Sequence, residues 1–159
     1  VADQSEPSGD SELLPAEVRT WMRILAAAGA VEQQLRTHVK LAFGVSHDDF
    51  LILCLLADQP GHTLRMTRIA ELLGRPKTRM TYQVSCLHHF GLVTRSSVRG
   101  DKRGIALTLT DKARRLLAEN SPALAQAVSE AVTRTLGPSQ REALGSLLAQ
   151  TTTDGDRSR

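Results

Sequence analysis

The sequence predicts a mainly α fold with a small β-hairpin. Three observations carry that expectation. Long stretches near both ends repeat apolar residues every three or four positions, the period of a helix with one buried face. Two helical segments in the middle are parted only by the breaker run Gly74-Arg75-Pro76. Then Ile105, Leu107 and Leu109 alternate with small or polar residues, the period of a half-buried strand.

In chain order, residues 1–12 are polar and acidic and read as a disordered tail, with neither the basic start nor the apolar run of a secretory signal. Residues 14–43 read as one helix, with Val18, Trp21, Met22, Leu25, Ala28, Leu35, Val39 and Ala42 along one stripe and Gly44 as its stop. A helix this long overhangs the core of a 159-residue chain, and the overhanging stripe suits a second copy. Ser46, with Asp49 three residues on, starts a helix over 47–58. "DQPGHT" reads as a loop. Residues 66–73 form a short helix stopped by Gly74, and 77–90 form another, with Met80, Val84 and Leu87 inward and Gly91 at its end.

Val93 to Val98 reads as a strand. The turn Arg99–Gly104, with glycines at both ends of its core, joins it to the strand of Ile105–Leu109. Thr110 caps a long helix that reaches about Leu136, bent near Pro122. Gly137-Pro138, with Gln140, opens a last helix whose apolar face is Leu144, Leu147 and Leu148. Residues 151–159 read as a second disordered tail. A helix-turn-helix followed by a hairpin is a winged helix-turn-helix, here flanked by long dimerisation helices. The expected organisation is a DNA-binding lobe at 47–110 and a dimerisation region at 13–46 and 111–150.

The net charge of +3 conceals an asymmetry. Residues 65–115 carry +9 and the remainder carries −6, which places a polyanion-binding surface in the middle third. Aromatic residues are only 3%, which argues against single-strand or RNA binding by base stacking. No nucleophile elbow, zinc-protease motif or phosphate-cradling glycine loop is present, so an enzyme is not expected. Cys54 and Cys86 form no C-x-x-C pair, which fits a reducing cytoplasm. No apolar run approaches the ~20 residues of a membrane span. Cys86 and His89 share a helical face, but no further ligands sit at useful spacing, so neither a metal nor another cofactor is expected.

"LRMTRIAELLGRPKTRMTYQVSCLHHFGLVTR" resembles the helix-turn-helix of the multiple antibiotic resistance regulator (MarR) family of bacterial transcription factors. "DKRGIALTLTDKARRLL" resembles that family's wing signature, through Asp101, Arg103, Leu109 and Thr110. The resemblance covers about residues 14–150, and Trp21 looks like an actinobacterial-type branch. It implies a homodimer on a palindromic double-stranded operator, usually as a repressor. It also implies release by a small, often phenolic, effector bound between the dimer helices and the DNA-binding lobe. By that analogy Trp21, His38 and His47 lie near the effector pocket. Two departures stand out. Arg65 and Pro76 occupy positions where the family often caps its DNA-binding helices with Ser or Thr, and Tyr82 and Cys86 stand where arginines are common.

The early residues of the second helix, Lys77, Thr78, Arg79, Thr81, Tyr82 and Gln83, are the candidates for the major groove. Arg79 suits guanine O6 and N7, and Gln83 suits adenine N6 and N7. Thr78 and Tyr82 suit phosphate or a thymine methyl. On the wing, Arg103 suits the narrow minor groove, while Arg99 and Lys102 suit phosphates. Asp101 is expected to hydrogen-bond Arg103 or a turn amide. Arg65, Arg75 and Arg95 are flanking candidates. The rival readings are a winged helix used as a protein-interaction module, and a metal-responsive regulator.

Overall fold

The computed structural model describes residues 13–154, with side chains through 146. The elements run α1 (Ala16–Phe43), α2 (His47–Ala57), a 3-10 turn at Pro60–His62, β1 (Thr63–Arg65), α3 (Met66–Leu72) and α4 (Lys77–His89). Then follow β2 (Val93–Val98), β3 (Asp101–Leu109), α5 (Asp111–Thr135) and α6 (Pro138–Asp154). The architecture is the expected helical one with a wing. Among the described residues no helix is long and apolar enough to cross a membrane.

The helix boundaries follow from local chemistry. Ser46 Oγ accepts from the Asp49 amide at 3.1 Å, and Thr110 Oγ1 accepts from the Ala113 amide at 3.2 Å, each satisfying a donor that the first turn leaves unpaired. Gln140 Oε1 accepts from the Gly137 amide at 2.8 Å. Gly44 closes α1 in the left-handed region, at φ +72°. Arg65 and Pro76 precede α3 and α4 without any side-chain cap, as their chemistry requires.

Two features differ from the sequence reading. The sheet has three strands in the order β1-β3-β2, because Thr63–Arg65 pairs antiparallel with Ala106–Thr108. A three-residue strand is too short to show a period, and its pairing is settled by a partner some forty residues away, where the Thr63 and Thr108 hydroxyls meet at 2.8 Å. α6 continues to Asp154, four residues into the stretch read as a tail. The tails at 1–12 and 155–159, and the side chains of Leu147 and Leu148, lie outside the described residues.

The core sits under the helix-turn-helix. Ile52, Leu53 and Leu56 of α2, Ile69 of α3, Met80 and Leu87 of α4 and Leu107 of β3 are wholly buried. Burial of each such side chain contributes about 1.5–3 kcal/mol. α1 joins this core only through its C-terminal half, at Val39 and Phe43, with Val45 just beyond. Further toward its N-terminus Trp21, Met22, Ile24 and Leu25 are exposed, although α1 packs along α5.

Candidate nucleic-acid interface

Met80, Val84 and Leu87 pin α4 to the core by one face. The opposite face must then point outward, and it carries Lys77, Thr78, Arg79, Thr81 and Tyr82, all exposed. The Thr81 hydroxyl donates back to the Lys77 carbonyl at 3.0 Å. Tyr82, 72% exposed, lies one turn before Cys86, whose interaction with the phenol raises its pKa.

Gln83 does not belong to that face. It is 5% exposed, its Nε2 donates to Asp49 Oδ1 at 3.0 Å, and its Oε1 accepts from Arg75 at 3.3 Å. Its expected role as an adenine reader is therefore corrected: the amide is already spent on protein partners. Arg75 is corrected on the same ground. Its guanidinium is only 14% exposed and donates to Asp48 Oδ1 at 2.7 Å, so it braces α4 against α2 from inside. Arg79 also pairs with Asp48, through Oδ2, yet remains 57% exposed. Partial burial pushes the Asp48 carboxyl up, but the hydrogen bonds and charges of Arg75 and Arg79 outweigh it and hold the pKa below its ordinary value. Arg95 reaches from β2 to Ser85 Oγ at 2.8 Å and ties the wing to α4.

The wing is tighter than the expected Arg99–Gly104 turn. Val98 pairs with Asp101, so the loop proper is Arg99-Gly100, with Gly100 at φ +81°. Ser97 pairs with Ile105, which leaves Lys102, Arg103 and Gly104 in a bulge of β3. Asp101 Oδ1 accepts from the Arg103 amide at 3.0 Å and closes that bulge. Its other oxygen faces Arg65 at 3.8 Å. Gly104 is needed for space, not for φ: a Cβ there would lie 2.6 Å from Asp101 Oδ2 and 3.0 Å from Val98 Cβ. Arg99, Lys102 and Arg103 are all exposed.

Beside α4 lie two clefts. One, of about 490 Å³, is lined by charged and polar groups from α1, α2 and the segment leading into α4, including Glu32, Arg36, His47 and Asp48. The other, of about 430 Å³, adds the less polar Val45, Tyr82, Cys86 and Phe90, with Lys40 at its edge. Of the three residues expected near an effector pocket, His47 lines the first cleft. Trp21 stands 59% exposed on α1, and His38 is partly buried with Nε2 unpartnered. No local signal foretells that Glu32, His47 and Asp48 converge, since they lie on two separate helices.

The chain matches no family model and no curated protein. Solved structures do match. Sco3205, a MarR family transcriptional regulator from Streptomyces coelicolor solved in complex with DNA, is 31% identical over 87% of this chain and 88% of its own, with a TM-score of 0.71. The chain belongs to the MarR family of transcriptional regulators. CouR, a transcriptional repressor solved on a 23-mer DNA duplex, is 29% identical, covers 89% of this chain and 99% of its own, and superposes with a TM-score of 0.67. BpsR of Bordetella bronchiseptica, whose DNA binding is regulated by 6-hydroxynicotinic acid, is 20% identical over 92% of this chain and 98% of its own, with a TM-score of 0.61, and shares the fold. Among MarR proteins this chain is thus a regulator with the family's winged helix.

Proposed function

We propose that this MarR regulator acts in the cytoplasm, without enzymatic activity, as a homodimeric repressor on a palindromic double-stranded operator. Residues 47–110 form the DNA-binding lobe, and 13–46 with 111–150 form the dimerisation region. The observation that carries the reading is the exposure of two cationic groups, Lys77 and Arg79 at the start of α4 and Arg99, Lys102 and Arg103 on the wing. Arg79, Thr78, Thr81 and Tyr82 enter the major groove, and Arg103 reaches the flanking minor groove. Arg65 contributes a phosphate contact, and Arg95 holds the wing in place. A small aromatic effector fits the less polar cleft, where Phe90 supplies a ring face and Lys40 a cation.

Selection of bound duplexes from a random pool tests this. The expected product is an inverted repeat with half-site centres about one helical turn, roughly 34–36 Å, apart. Loss of binding with rising salt should accompany it. A pool that shows no enrichment, beside a stable dimer, would overturn the reading and leave a protein-interaction module.

A further inference from the structure

Asp48, in the first turn of α2, divides its carboxylate between two arginines of unlike exposure. Oδ1 accepts from the largely buried Arg75 at 2.7 Å, and Oδ2 accepts from the exposed Arg79. The carboxylate is itself held in place. Arg75 also donates to Gln83 Oε1 at 3.3 Å, and Gln83 Nε2 donates to Asp49 Oδ1 at 3.0 Å. A ring of hydrogen bonds thus leaves α2 at Asp48 and returns to it at Asp49. The inward half of this arrangement braces α4, which starts at Pro76 without a side-chain cap. The outward half adds little to stability, because water screens an exposed ion pair. Yet its member Arg79 is the one arginine within Lys77–His89, and it stands in the first turn, where a recognition helix meets base edges.

We propose that Asp48 is a positioning residue: it holds the Arg79 guanidinium in the orientation that reads one guanine, and so sets base specificity from α2. The inference rests on the DNA-binding reading of α4. A free arginine samples many rotamers and loses them on binding, whereas one already held loses fewer. Asp48 engages one end of the guanidinium fork, through a single NH2 group. The fork has five N–H donors, so enough remain for the two parallel bonds to guanine O6 and N7. Asp48 therefore acts on DNA in two opposed ways. Its negative charge repels phosphates and weakens binding to every sequence. Its grip on Arg79 favours the one base pair that fits a fixed fork. Charge is balanced within the set, since Asp48 and Asp49 offset Arg75 and Arg79, so Arg79 works here through geometry more than through net charge.

The test titrates the full-length protein against its selected duplex and against the same duplex changed at the base pair whose discrimination Arg79→Ala loses. Asp48→Asn keeps an oxygen for Arg75 and removes the charge that holds Arg79. It should bind unrelated duplex severalfold more tightly, yet discriminate at that base pair about threefold to tenfold less well. In the Arg79→Ala background the same change should alter discrimination no further. Asp48→Glu keeps the charge but moves the carboxylate by one methylene. It should lower discrimination at the same base pair to a lesser extent, and it answers the question if Asp48→Asn does not fold. Unchanged discrimination in both variants, or a loss that persists undiminished in Arg79→Ala, overturns the positioning role. Tighter binding with sharper discrimination overturns it too, since Asp48 would then compete with DNA for Arg79. Equal weakening on all sequences leaves only the Arg75 brace and overturns it likewise. Loss of discrimination by Arg79→Ala alone spares the DNA-binding reading, whereas no loss by Arg79→Ala overturns base reading by Arg79 and the proposal with it.

Discussion

Gln83 joins Asp49 on α2 to Arg75 in the turn before α4, so its amide is a strut between elements. Gln83→Ala leaves both partners facing a gap and should cost about 1–3 kcal/mol in urea unfolding. Its base preferences in a duplex selection should stay unchanged, and a lost adenine preference would return Gln83 to the groove. Arg79→Ala should do the reverse. Discrimination at one base pair should fall by ~1–3 kcal/mol, while Lys102→Ala should weaken all sequences alike. Cys54 belongs to the residue scale too. Burial pushes its thiol up from 9.0 to about 11. A thiol whose folded pKa is raised stabilises the fold fully below pH 9.0, and that contribution is lost as pH climbs toward about 11. Replacing Cys54 with Ala should therefore flatten the stability loss across that window. At pH 8 iodoacetamide should label Cys86 well before Cys54.

The wing is an element built around one carboxylate. Asp101 accepts the Arg103 amide, fills the space that Gly104 leaves open, and approaches Arg65. Simple charge counting says that Asp101→Ala should tighten DNA binding. The bulge says the opposite: without its anchor, Lys102 and Arg103 lose more order on binding. Affinity should fall, and a titration at moderate salt gives the sign. Arg103→Ala should reduce the slope of log affinity against log salt by roughly 0.9 and flatten any preference for A·T-rich flanks. Gly104→Ala should disturb the same bulge, because Val98 Cβ, unlike the tip of Asp101, cannot swing away.

At the scale of the whole molecule, the exposed Trp21, Met22, Ile24 and Leu25 on α1, Val128 on α5 and Leu144 on α6 call for a partner surface. Ile24→Glu should give a folded monomer by sedimentation, with operator affinity greatly reduced. A variant that remains dimeric would place the interface elsewhere. Deleting residues 1–45 is a poor test of the same point, because it removes Leu35, Val39, Phe43 and Val45 from the core. The same helix is exposed and apolar at one end and core at the other.

The sequence by itself determined the helices, their caps and stops, the wing and the family. Each of these rests on short-range signals: a period of three to four, a serine before an amide, a glycine at positive φ, or the Asp101-Arg103 spacing before Leu109-Thr110. Exposure of Lys77, Arg79 and Tyr82 followed as well, since Met80, Val84 and Leu87 fix which face of α4 is buried. Only the tertiary structure decided the rest. Arg75 turned inward because Asp48, some thirty residues earlier, is there to be neutralised, and Gln83 because Asp49 accepts its amide hydrogen bond. β1 became a strand because β3 had a free edge, and Glu32 met His47 because α1 passes over the start of α2. A buried charge is placed by its partner, and a partner supplied by another element leaves no mark in the local sequence.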